Sequence, residues 1–416
     1  MRPESLSSNR DFVRIWSAQT VSSFGSLITR PALPFLAILT LNATPVQIAI
    51  LRAADHVPGF LIGLFAGVII DRLRRRPLLI AADIGRALLL GSIPLAAFVS
   101  HVRIEQLFLV VLLASALTTF FDIGYESYLP TIVPAARLYE ANGRVAASLS
   151  VAEVSAFGIA GWLVQIFTAP VAILIDAITF VLSAVFISTI RTAETRAVPV
   201  AGKPGVLSDI AEGIGILARE PTLRAIALAF AALEFSFGIV GTIIGLFGLR
   251  ELGFRPGPLG LTYAAGGAVS LLAALLATRI THRLGVGPTM VGGLVLTGLG
   301  TLLLPLAHGA GPLSFALLIA QQVIGDGGAT IFEINQSSLR QTVAPTRVLG
   351  RINAATRSAG LGATLLGIGA GAALAQGSGY RIALLVGAAA CLLGALVLLS
   401  TPTLRSGKQA AAATPR

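Results

Sequence analysis

Twelve apolar runs, each of about twenty residues or more, follow one another along the chain. They cover 12–40, 46–70, 77–100, 105–129, 144–167, 170–190, 221–249, 257–280, 286–307, 313–339, 350–375 and 380–400. A hydrocarbon core about 30 Å thick demands about twenty helical residues at a rise of 1.5 Å each. The runs are continuous rather than alternating, which selects helices over a barrel. A helix also closes its own backbone hydrogen bonds where lipid offers none. Only 12% of the 416 residues are charged, roughly half the share of soluble domains. Mean hydropathy is +0.85. Such a chain cannot clothe a water-facing surface, so the expected fold class is an all-α membrane protein of twelve transmembrane helices.

The short connections alternate in charge. One set holds Arg2, Arg10, Arg14; Arg72, Arg74, Arg75, Arg76; Arg137, Arg144; Arg191, Arg196, Lys203; Arg279, Arg283; Arg340, Arg347, Arg351; and Arg405, Lys408, Arg416. The opposite set holds only Arg103, Arg250, Arg255 and Arg381. Positive loops stay inside, so both termini are expected in the cytoplasm. A net charge of +11 could serve nucleic acid, but here it lies in loops between spans. No nucleic-acid partner is expected. The first apolar run is too long for a signal-peptide core, and no cleavage is expected. Cys391 is the one cysteine and reads as a small packing residue.

The chain also repeats itself. Phe121-Asp122-Ile123 answers Phe332-Glu333-Ile334, and Pro134 answers Pro345. Ser23-Phe24-Gly25 answers Ser236-Phe237-Gly238, and Gly143-Arg144 answers Gly350-Arg351. The offset stays near 210 throughout. Two six-span halves follow, 1–190 and 219–404, an arrangement that binds substrate near the midplane between repeats. Residues 191–218 form a cytoplasmic linker. Pro199, Gly202, Pro204 and Gly205 break helix there, and 207–218 reads as an amphipathic helix on the membrane surface. Residues 405–416 read as a flexible tail.

After the second span comes Gly67-Val-Ile-Ile-Asp71-Arg72-Leu-Arg74-Arg75-Arg76. This resembles the loop signature of the major facilitator superfamily, with Arg74 in place of the usual Gly. Gly67 permits close helix approach, and Asp71 sits where it can pair with a neighbouring helix end or an Arg. Gly67, Asp71, Arg72, Arg75 and Arg76 are thus the candidate conformational latch. The bland alternative is that the cluster only sets topology. The stretches Phe120 to Pro130 and Asn335 to Gln341, the run Leu349-Gly350-Arg351-Ile-Asn353-Ala354, and Asp176 resemble the branch of macrolide and enterobactin exporters. That resemblance implies the major facilitator fold and export driven by a proton gradient. Ala156 to Gly161 departs from the Gly-Pro-x-x-Gly-Gly element that antiporters of the superfamily usually carry in the fifth span.

Ionisable residues inside the membrane are costly, so each is a functional hypothesis. Arg30 in span one and Asp55 in span two both sit about 14–15 Å below the outer surface. They are expected to form an ion pair, either static or responsive to protons or substrate, with His56 adjacent. Glu234 and Asp326 lie near mid-depth of spans seven and ten, as proton carriers or contacts to a cationic substrate. Glu153 in span five is a similar candidate, or else a partner for Arg144 or Arg86. Asp122 and Glu333 occupy equivalent repeat positions and are expected in gating or helix-end pairing.

No Gly-x-x-x-x-Gly-Lys-Ser/Thr loop occurs, so direct use of ATP is not expected. The four histidines are dispersed. No cofactor, no metal and no enzymatic reaction are expected. The expectation is a monomeric secondary transporter of the inner membrane. It would export a small amphiphilic or drug-like solute by alternating access and proton antiport, with membrane lipid and protons as its other partners. Uptake or uniport of a small organic solute is the alternative. A non-transporting sensor or scaffold is the alternative from another class.

Overall fold

The computed structural model describes residues 6–70, 74–99, 101–192 and 206–402, with backbone alone for 63–70, 206–210 and 346. Fourteen helices run through these residues: α1 Arg10–Leu39, α2 Pro45–Ile70, α3 Arg75–Phe98, α4 Ile104–Ile132, α5 Leu138–Ile166, α6 Ala169–Ser188, α7 Val206–Arg219, α8 Pro221–Leu246, α9 Pro256–Leu284, α10 Val286–Leu303, α11 Pro312–Gln321, α12 Gly327–Val343, α13 Leu349–Gly377 and α14 Tyr380–Leu399. A π-turn at Gln322–Asp326 joins α11 and α12 into one span. Among the described residues, eleven stretches are long and apolar enough to cross a membrane. The 26-residue α2 is the remaining long helix, in line with twelve spans.

Helix starts follow local chemistry. Pro stands in the first turn of α6, α8 and α11, where its missing N–H costs nothing. Asn9 caps α1: its Oδ1 accepts from the amides of Asp11 and Phe12, each at 3.1 Å. Gly285 (φ +88°) and Gly379 (φ +92°) make the turns before α10 and α14. An L side chain resists that backbone region.

The chain divides into two compact units. The first comprises Met1–Ala43, Ile50–Lys203 and Arg255–Ala264; the second comprises Thr44–Ala49, Pro204–Phe254 and Ala265–Arg416. In the first unit, α6 lies between α1 and α3, with α5 against α1 and α4 against α3. Phe12, Ile15, Leu79, Phe121, Tyr128 and Ile187 fill one end of it. At that end Asp11 Oδ2 accepts from the Thr192 amide (2.9 Å) and hydroxyl (2.7 Å). The guanidinium of Arg76 donates to the carbonyls of Ile187 (3.3 Å) and Ser188. A cation is thereby placed on the C-terminal carbonyls of α6.

In the second unit, α8 lies between α13 and α14, and α10 packs on α14 and α12. A Cβ on Gly367 would strike the Phe235 carbonyl, and one on Gly238 would strike that of Thr364. The backbones of α8 and α13 therefore meet directly, as small residues permit. Cys391 is fully buried among Leu294, Phe332 and Ala395. Helix α7 docks on α13: a Cβ on Gly213 would strike the Arg351 carbonyl, and Glu212 pairs with Arg351 at 2.7 Å.

Candidate functional site

A cavity of about 190 Å³ lies within the first unit. Its walls are largely apolar, with Leu33, Leu51, Leu90, Val111 and Phe180 among them. Five ionisable side chains also line it: Arg30 from α1, Arg52 and Asp55 from α2, Arg86 from α3 and Asp176 from α6.

Arg86 is the most firmly held. It is 3% exposed and pairs with fully buried Asp83, one turn back on α3. Spacing i,i+3 puts the two on one helix face. The guanidinium carbon stands 4.3 Å from the Phe121 ring centre and 4.1 Å from that of Phe180. Desolvating two ions costs several kcal/mol each, and only close geometry with further contacts offsets that. The two ring faces provide such contacts. Asp122 and Asp176 add to the negative field at Arg86.

Asp176 is 1% exposed, and its Oδ1 accepts from the Thr179 hydroxyl at 3.2 Å. Gly25 of α1 lies directly over the pair. A Cβ there would collide with both Thr179 and Asp176, so the carboxylate has its place because position 25 has no side chain.

On α2, Arg52, Asp55 and His56 share a face at i, i+3 and i+4. The expected ion pair between Arg30 and Asp55 is not formed, although both line the cavity. Asp55 instead has His56 Nδ1 at 3.9 Å, and that nitrogen lies 2.9 Å from the Arg52 carbonyl. Neither Arg30 nor Arg52 makes an ion pair with a described residue, and the buried Arg52 Nε has no hydrogen-bond partner.

Glu153 does not pair with Arg144 or Arg86. Arg144 is taken by Glu140 at 2.9 Å and by the Ser7 hydroxyl at 2.9 Å, and Arg86 by Asp83. Glu153 itself is exposed on α5.

The second unit carries a different cluster. Glu234, Asp326 and Glu333 are all half-buried, and Glu333 lies within the electrostatic reach of the other two. Glu234 Oε2 accepts from the Thr364 hydroxyl at 2.7 Å. Asp326 closes the π-turn, and its Oδ2 and the Gln322 amide would meet a Cβ on Gly266. Single π-turns of this kind concentrate at functional sites. Neither Asp326 nor Glu333 makes an ion pair with a described residue. Asp122 and Glu333 lie well inside their helices, and neither makes an ion pair with a described residue. Asn335 accepts from Thr281 at 2.8 Å, and Arg340 bridges Gln336 and Asn353 at 2.9 Å each. Those amides tie helices together.

Of the candidate latch, Asp71 and Arg72 lie outside the described residues, and of Gly67 only the backbone is described. Arg75 opens α3, and Arg76 caps α6. Arg52 and Asp83 are site residues that span-depth counting passes over. The signal for them is a charge three residues from an opposite charge inside an apolar run.

A family model for the Major Facilitator Superfamily matches residues 15–359 and 226–415. The chain is 27% identical to the uncharacterized MFS-type transporter YfiS of Bacillus subtilis (strain 168), over 94% of this chain and 93% of that one. It is 21% identical to macrolide efflux protein A of Streptococcus pyogenes, over 64% of this chain and 65% of that one. Its fold matches the crystal structure of a bacterial homologue of the iron transporter ferroportin in the inward-facing state. The TM-score is 0.77 at 20% identity, covering 95% of this chain and 99% of that one. At that identity the likeness is one of fold.

Proposed function

Because this chain belongs to the major facilitator superfamily, we propose that it exports a small amphiphilic solute by alternating access, in exchange for protons. The observation that carries the reading is the cavity of the first unit, where apolar walls surround Arg30, Arg52, Asp55, Arg86 and Asp176. A mixed wall of this kind suits a solute with an apolar body and a polar group. Outward direction is supported by the likeness to macrolide efflux protein A. The protein acts as a monomer in the inner membrane, both termini cytoplasmic, and its two halves are 1–190 and 219–404, joined by 191–218.

Cells lacking their own exporters should accumulate less of the cargo when this protein is present, and an uncoupler should abolish the difference. Uncoupler-insensitive efflux would reject proton exchange, and accumulation above control would reverse the direction.

The stretch from Gly67 to Arg76, from the end of α2 to the start of α3, acts as the conformational latch, through Asp71. Arg76 ties the start of α3 to the end of α6. Asp71→Asn is expected to slow transport severalfold at unchanged membrane insertion. An unchanged rate would reduce the loop to a topology signal.

A further inference from the structure

We infer that the cavity of the first unit binds the anionic group of its solute, a carboxylate or phosphonate-like acid on a compact apolar body, at Arg30 and Arg52. The inference rests on the transporter reading and names the substrate class of that site.

The charges around the cavity are polarised. On one side, Arg86 is matched by Asp83 in contact and by Asp122 and Asp176 beyond it. On the other, Arg52 has Asp55 and Tyr263 within electrostatic reach, and neither Arg30 nor Arg52 is closed into an ion pair with a described residue. The two guanidiniums lie near enough to repel each other electrostatically. Like charges brought together in a low-dielectric wall are costly, and an anion between them removes that cost. The buried Arg52 Nε has an unused donor, and Arg30 is exposed to the cavity it lines. Asp55 does not occupy the place, because its carboxylate is 58% exposed and lies beside His56. A guanidinium is weakly hydrated and forks onto planar carboxylates. Leu33, Leu51 and Val111 receive the apolar body.

The test uses the full-length protein purified into nanodiscs of phosphatidylcholine, with a parallel set containing phosphatidylglycerol. Thermal unfolding is followed with four probes of matched shape: 2-naphthoate, 2-naphthylphosphonate, 2-naphthamide and 2-naphthylmethylamine. The two anions are expected to raise the midpoint, and the amide and amine are not. Arg30→Gln and Arg52→Gln should each weaken anion binding about 10- to 100-fold, the range of a lost charge-assisted hydrogen bond. Arg52→Glu should turn the preference toward the amine, a gain that misfolding cannot produce. Stabilisation by the amine or amide equal to that by the anions, or none by either anion, would overturn the inference. Stabilisation that follows phosphatidylglycerol and ignores the naphthoate would assign the guanidiniums to a lipid headgroup and overturn it too. Uncoupler-sensitive efflux of a cation without anion binding would sink this inference and leave the export reading standing. Anion binding without efflux would do the reverse.

Discussion

Arg86→Ala is expected to lower the stability of the protein by about 3–5 kcal/mol, the cost of leaving one partner of a buried ion pair alone. Asp83 is fully buried, and one of its oxygens already lacks a hydrogen-bond partner. Without the guanidinium, its charge and that of Asp176 face each other with no cation beside them. The rings of Phe121 and Phe180 also lose the group they hold. The double change Asp83→Leu with Arg86→Met should recover most of the loss, since apolar groups of similar volume commonly replace a buried pair at little cost. Transport should remain impaired in that double variant, because Arg86 also lines the cavity. Thermal unfolding in detergent measures the first effect, and efflux measures the second. Wild-type stability in Arg86→Ala would show that the pair does not hold the unit together. A double variant as unstable as the single would show that the damage lies in packing.

That pair also marks the limit of what the residues disclose unaided. The helices were legible because lipid permits little else. An apolar run must become a helix, and its length is set by the bilayer. The fourth span, expected at 105–129, is α4 Ile104–Ile132. The helix expected at 207–218 is α7 Val206–Arg219. Depth along a helix follows from counting residues, but azimuth does not. Glu153 sits at a depth that implies burial, yet its face of α5 is exposed. Arg30 and Asp55 share a depth and a cavity, but the carboxylate turns toward His56. Asp83 and Arg86 neutralise each other on one helix, so neither stands out as an orphan charge. Asp176 depends on Gly25 of another helix having no side chain. Contacts of that kind are fixed by which helices become neighbours, and a single chain read in order does not state that.

On the proton exchange proposed above, Glu333→Gln is expected to abolish proton-driven export while leaving downhill exchange of the solute intact. Glu333 has Glu234 and Asp326 as charged neighbours, so a proton carried there removes the charge that faces the other two. A proton crossing with the membrane potential releases about 2.3 kcal/mol per 100 mV. Converted at 1.4 kcal/mol per decade, that sustains a solute gradient of about 50-fold for each 100 mV. An amide at position 333 cannot take up the proton, so the proton's share of that gradient should vanish, leaving only the ratio that the solute's own charge sets in the potential. Counterflow, which needs only binding and alternation, should continue at a comparable rate. Asp326→Asn should act in the same direction, because Asp326 closes the π-turn beside the same group. The measurement is the steady-state gradient in vesicles at fixed potential, with counterflow in the same vesicles as the control. A gradient above that ratio that survives both substitutions would move proton carriage out of the second unit, with Asp176 in the wall of the first as the next carboxylate to replace. Loss of counterflow along with the gradient would instead make Glu333 part of the binding or alternation machinery, and the carboxylate cluster would no longer explain coupling.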